Sequence, residues 1–146
     1  MNEQNKAKQY LKYVRDLGLE IKAKLELCEQ LRELAAISSP TLSFDKISGG
    51  NNNKNRLEEH VVKILTIEGD IKHKTYRLAD LRNDAVSYID KMEEPRDRAL
   101  LMYRYINAYS WENVAEEMNY SLDHTKGYAH KRALNKFSDI FNINTK

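Results

Sequence analysis

Two long stretches of this chain repeat apolar residues at helical spacing along one narrow stripe, and such a stripe can be buried only against another helix. In the first stretch, residues 3–36, Val14, Ile21, Cys28 and Ala35 recur every seven positions, and Tyr10, Leu17 and Leu31 hold the partner position, with Lys24 interrupting it. A repeat of 3.5 residues keeps one seam in contact with a neighbouring helix. In the second stretch, residues 56–92, Leu57, Val61, Ile64, Ile71, Leu78, Ala85, Ile89 and Met92 follow at steps of three and four, and Glu68, Thr75 and Arg82 fill the same stripe with polar groups. Those polar members either set the register of a pair or lie at the edge of a rotated stripe. A lone amphipathic helix would leave the stripe wet. The partner is either the other helix, folded back as an antiparallel hairpin, or a second copy of the chain, and the pattern leaves both open. Gly18 interrupts the first stripe at a helix cost of about 1 kcal/mol relative to alanine, marking a kink or a weak spot.

Between the stripes the rhythm stops. SSPTLSF and the run SGGNNNKN supply little apolar area to offset ordering entropy, so residues 38–55 are expected to be a flexible Gly/Asn loop. The expected organisation is all-α: a coiled-coil-like helical hairpin over residues 1–93 and a second domain over 94–146.

In the second domain Pro95 suits the first turn of a helix, whose apolar face is Ala99, Leu100, Met102, Tyr103 and Ile106. Asn107-Ala108-Tyr109 breaks it, Ser110 caps a short helix from Trp111 to Met118, Asn119-Tyr120 turns, and Ser121 caps a last helix to about Asn142. These are the parts of a helix-turn-helix. Val114 and Met118 anchor the first helix, and Ala115 is the small residue where the second crosses it. Asn119 stands where positive φ is needed, and asparagine enters that region at modest cost. Tyr120 is placed to pack beneath the turn, Trp111 to pack the helix start in the core, and Thr125, Ala129, Ala133 and Phe137 form the second helix's buried stripe. The opposite face carries the candidate DNA-binding residues: Ser121, Leu122, Asp123, His124, Lys126, Gly127, His130 and Lys131. Lysines there suit phosphates, or a guanine edge for Lys126, and glycine permits close approach of the backbone. Asp123 either accepts from a cytosine amino group or favours the helix N-terminus electrostatically.

Composition narrows the alternatives. A formal net charge of +2 neither supports nor excludes a nucleic-acid partner. Cys28 is alone, which excludes an intramolecular disulfide. No apolar run approaches the ~20 residues of a membrane span, and MNEQNKAKQY lacks the apolar core of a signal peptide, so a soluble cytoplasmic protein is expected. His60, His73, His124 and His130 show neither an i,i+4 pair nor a cysteine companion, so no metal or other cofactor is expected. No phosphate-binding glycine loop, nucleophile elbow or paired catalytic carboxylate occurs, and no enzymatic activity is expected. Arg96, Arg98 and Arg104 serve either phosphates or an ordinary salt-bridged face. Glu112, Glu116 and Glu117 make the first motif helix acidic.

PRDRALLMYRYINAYSWENVAEEMNYS, continued by TKGYAHKRAL, resembles region 4 of sigma-70-type factors, whose pattern is P-x-R-x-R-x-L-x-x-R-Y, then S-x-x-E-I-A-x-x-L-G-x-S, then V-K-x-x-L-H-R-A. It is closer still to the sigma-like phage regulators of the ArpU/RinA group, which also place a helical hairpin with a Gly-rich loop ahead of a P-R-x-R…R-Y-I…S-W-E-x-V/I-A stretch. The matching positions are Arg104-Tyr105-Ile106, Ser110-Trp111-Glu112, Ala115, Ser121, Lys126 and His130-Lys131. Asn119 stands for the family's glycine, Thr125 for its valine and Ala129 for a larger anchor, and Arg132 shifts the following alanine by one place. The resemblance implies an activator of phage or prophage late genes with its last helix on double-stranded promoter DNA and a contact to RNA polymerase. Sigma region 2, which melts promoter DNA, has no counterpart here. Two rivals stay open: a small-terminase-like packaging protein, and a protein-interaction module that does not bind DNA. A monomer or homodimer favours the regulator, whereas a large closed ring favours packaging.

Overall fold

The computed structural model describes residues 2–37 and 50–145 and is all-α, with no strand among the described residues. In order the elements are α1 (Glu3–Ile37), α2 (Gly50–Ile89), α3 (Pro95–Leu101) with a π turn over Met102–Ile106, α4 (Trp111–Met118), α5 (Leu122–His124) with a π turn over Thr125–Ala129, and α6 (His130–Thr145). The expected loop over 38–55 is corrected at its C-terminal end. α2 already begins at Gly50, because adding a residue to a formed helix costs at most about 1 kcal/mol even for glycine and no proline lies between 50 and 55 to stop it. Residues 38–49, the rest of that expectation, lie outside the described residues.

The chain divides into two compact units, Met1–Leu19 with Arg77–Lys146, and Glu20–Tyr76. The division cuts through both long helices, whereas the sequence-based boundary falls at 93/94.

In the unit of residues 20–76, α1 and α2 run antiparallel. Lys24 pairs with Asp70, Lys74 with Glu20, and Arg32 with Glu68, so the stripe member Glu68 does bind across the pair. Hydrogen bonds from Lys74 and then Lys24 hold the Glu20 carboxyl below its usual range, and Lys24 does the same to Asp70. These groups are exposed, so they orient the pair more than they stabilise it. Ile21 and Cys28 are buried, whereas Leu25, Leu34, Val62 and Leu65 are each at least half exposed.

In the other unit the first turns of α1 cover the end of the chain. Ala7, Leu11, Val14 and Leu17 are buried together with Leu78, Ala85, Ile89 and Met92 from α2 and its end. α1 runs uninterrupted through Gly18. A Cβ on it would lie 3.1 Å from the Arg82 guanidinium and 3.7 Å from Leu78, so the missing side chain leaves room for both. Tyr10, Tyr88, Phe137 and Phe141 form one aromatic cluster, with Tyr10 4.9 Å from Phe141 and Tyr88 edge-on to Phe137 at 6.2 Å. Offset and edge-to-face pairs of this kind add about 0.5–1.5 kcal/mol beyond their buried area. Phe137 is fully buried at its centre.

Phe137→Ala is expected to cost about 3–5 kcal/mol in denaturant unfolding, from lost transfer and an unfilled cavity. Tyr76→Ala, at a residue 65% exposed, should change stability by no more than about 0.5 kcal/mol.

Candidate nucleic-acid interface

The helix-turn-helix is built by local capping. The Ser110 hydroxyl accepts from the Asn113 N–H at 3.2 Å, and the Ser121 hydroxyl accepts from the His124 N–H at 3.1 Å. Asn119 takes the left-handed conformation at φ 58°, as the turn requires, and its N–H closes the end of α4. Val114, Ala115 and Met118 are buried, as are Thr125, Ala129, Ala133 and Phe137, in agreement with the sequence pattern. Pro95 takes the first position of α3, but that helix buries Leu101 and Tyr105 as well as the expected Leu100 and Ile106. The break after it contains a second left-handed residue, Ala108 at φ 57°, held where the Tyr109 N–H donates to the Tyr103 carbonyl at 2.9 Å.

The three arginines of α3 and its π turn have protein partners. Arg96 lies 4.6 Å over the Tyr120 ring, donates Nε–H to the Tyr120 hydroxyl at 2.7 Å and donates again to the Met118 carbonyl. It therefore clamps the turn whose φ Asn119 sets. Arg98 donates to the Met92 and Glu93 carbonyls. Arg104 donates to the Tyr109 carbonyl at 3.0 Å and stacks 4.3 Å from the Trp111 ring. Trp111 is half-buried, between that guanidinium and the His130 ring 4.5 Å away.

His130 corrects the expected interface. It is 9% exposed and its Nε2 lies 2.6 Å from the Tyr105 hydroxyl. A π turn absorbs one extra residue, so side chains beyond it are turned back by about 100° relative to an unbroken α-helix. The π turn over Thr125–Ala129 thereby swings His130 from the outer face onto the core stripe. Tyr105 comes from the other π turn, so both partners of this buried bond arrive by the same distortion. Burial, then Lys8 and Arg104, press the His130 pKa down to about 4, and burial raises Tyr105 to about 12.

The other expected residues are exposed: Ser121, Leu122, Asp123, His124, Lys126, Gly127 and Lys131. A Cβ on Gly127 would meet open space, so nothing inside the protein requires glycine there. Sequence reasoning missed Tyr128, which is 65% exposed on this surface. Tyr120, His124 and Tyr128 form an aromatic ladder, with ring centres 4.7 and 5.6 Å apart, and their i, i+4, i+8 spacing is the signal that would have revealed it. Among the described residues no group of histidine, cysteine, aspartate and glutamate could hold a metal ion. No helix of the described residues is long and apolar enough to cross a membrane.

Residues 36–137 match the model of a family described as a protein of unknown function (DUF1492). No curated protein and no solved structure matches the chain.

Neutral His130 makes folding sensitive to mild acid. Its folded pKa lies below the usual 6.5, so the unfolded chain takes up the proton first; the stabilisation is complete above pH 6.5 and falls away towards pH 4. Between pH 7 and 5 the loss should be on the order of 2 kcal/mol. Urea midpoints across that interval should drop in the native chain and stay flatter in His130→Gln, which cannot titrate.

Proposed function

We propose that this chain, which belongs to the DUF1492 family of proteins of unknown function, is a sequence-specific regulator that binds double-stranded promoter DNA through the exposed face of α5–α6. The observation that carries the reading is the conjunction of a capped helix-turn-helix with Lys126, Lys131, His124, Tyr128 and Gly127 on the open side of its second helix. A helix presenting cations and hydrogen-bonding groups in this way suits a major groove, with lysines on phosphates and the side chains between them on base edges. Tyr128 joins the interface and His130 leaves it; His130 supports the recognition helix from behind.

The finer reading is an activator of phage or prophage late genes in the cytoplasm, and it rests on the likeness of Arg104-Tyr105-Ile106 and Ser110-Trp111-Glu112 to the ArpU/RinA group. The exposed Leu25, Leu34, Val62 and Leu65 in residues 20–76 favour a protein partner there, a second copy or RNA polymerase. Mapping of bound DNA in the native host separates the alternatives. Peaks at promoters support regulation, peaks at a packaging site favour a small-terminase-like role, and no peaks favour a pure interaction module.

Lys126→Ala and Lys131→Ala should each weaken duplex binding and lower the slope of log K against log salt by about 1. Unchanged slopes in both variants would remove this face from the interface.

A further inference from the structure

The basic surface beside the recognition helix does not end on that helix. Lys8, Lys12 and Arg15 stand at i, i+4, i+7 on α1 and so share one side of it. With Arg104 and Lys126 they line one open cleft of about 390 Å³, in which Asp16 is the one lining carboxylate. Lys8, Lys12 and Lys126 are exposed. Arg15 is tied to the cleft wall by its Nε–H, which donates to the Arg104 carbonyl at 3.2 Å.

None of these five cations has a carboxylate at ion-pair distance among the described residues. The contrast lies in residues 20–76, where Lys24 and Lys74 are both paired with Glu20 and Asp70. Burial, and next the neighbouring Arg15 charge, work against the Arg104 guanidinium, with Glu112 and Asp16 opposing them, and burial, then Lys8 and Arg104, disfavour a proton on His130. Gathering like charges in this way costs free energy in the free protein, and an anion laid along the cleft would relieve it.

We infer that this cleft is a second phosphate rail for the same duplex, with Lys8 and Lys12 of α1 holding the backbone strand beside the groove that α5–α6 enters. The inference rests on the DNA reading above and adds to it a role for α1, which the sequence assigns to protein contacts alone. Lys8 and Lys12 lie one turn apart, about 6 Å along the helix axis, so the two ammonium groups can reach separate phosphates of one strand. Lys126 then belongs to both the rail and the recognition helix, which sets the register of one against the other. Asp16 marks the acidic end of the rail, where a phosphate would be repelled.

The test is fluorescence anisotropy on a labelled mixed-sequence duplex, titrated with the full chain across roughly 50–200 mM salt. Lys8→Ala/Lys12→Ala should weaken binding about tenfold or more and reduce the salt slope by about 2. Circular dichroism checks that the variant stays helical. A control pair, Lys22→Ala/Lys63→Ala, removes the same charge from residues 20–76 and should bind like the native chain. Native-like affinity and slope in Lys8→Ala/Lys12→Ala, while the native chain binds, would overturn the rail and leave the recognition helix standing. An equal loss in the control pair would also overturn it, because net charge would then explain the effect. A native chain that binds no duplex overturns both readings.

Discussion

Burial of Phe137 is the constraint on which the helix-turn-helix depends. A helix of sixteen residues with one apolar face is marginal alone, and α6 finds its cover in Tyr10 of α1 and Tyr88 of α2, with Phe141 a turn further along. The first turns of α1 are thus part of the core that holds α6, not a separate arm. This explains why the compact unit joins residues 1–19 to residues 77–146 and why α1 stands close enough to Lys126 to share a cleft with it.

Two π turns are the second organising feature. Each inserts one residue into a helical turn, and each delivers one partner of the Tyr105–His130 hydrogen bond. Such wide turns are rare and occur where a packing or functional demand outweighs the poorer helix geometry. Here the demand is a buried polar pair beneath Trp111. Burial first, and then the surrounding cations Lys8 and Arg104, favour the neutral imidazole in this pair. The core beneath α5–α6 is therefore coupled electrostatically to the cations that line the neighbouring cleft.

The acidic face of α4 gives the motif a direction. Glu112, Glu116 and Glu117 are exposed, whereas Lys126 and Lys131 lie on the following helix. A duplex approached from the lysine side meets favourable charge, and the same duplex approached from α4 meets three carboxylates. The near-zero net charge of the chain is thus the sum of opposed local fields, which is why composition alone did not reveal the separation of the α4 carboxylates from the lysines of the following helix.

The all-α class, the two long helices, the caps at Ser110 and Ser121, and the left-handed turn at Asn119 were legible in the residues, because each depends on neighbours within a few positions. The buried stripe of Thr125, Ala129, Ala133 and Phe137 was legible for the same reason. The inward rotation of His130, the Arg96 clamp on Tyr120, the start of α2 at Gly50 and the meeting of Lys8 and Lys12 with Lys126 were not. Sequence periodicity assumes 3.6 residues in every turn and carries no record of which distant helix lies opposite. A single π turn breaks the first assumption, and only the three-dimensional packing of residues 10, 88 and 137 supplies the second.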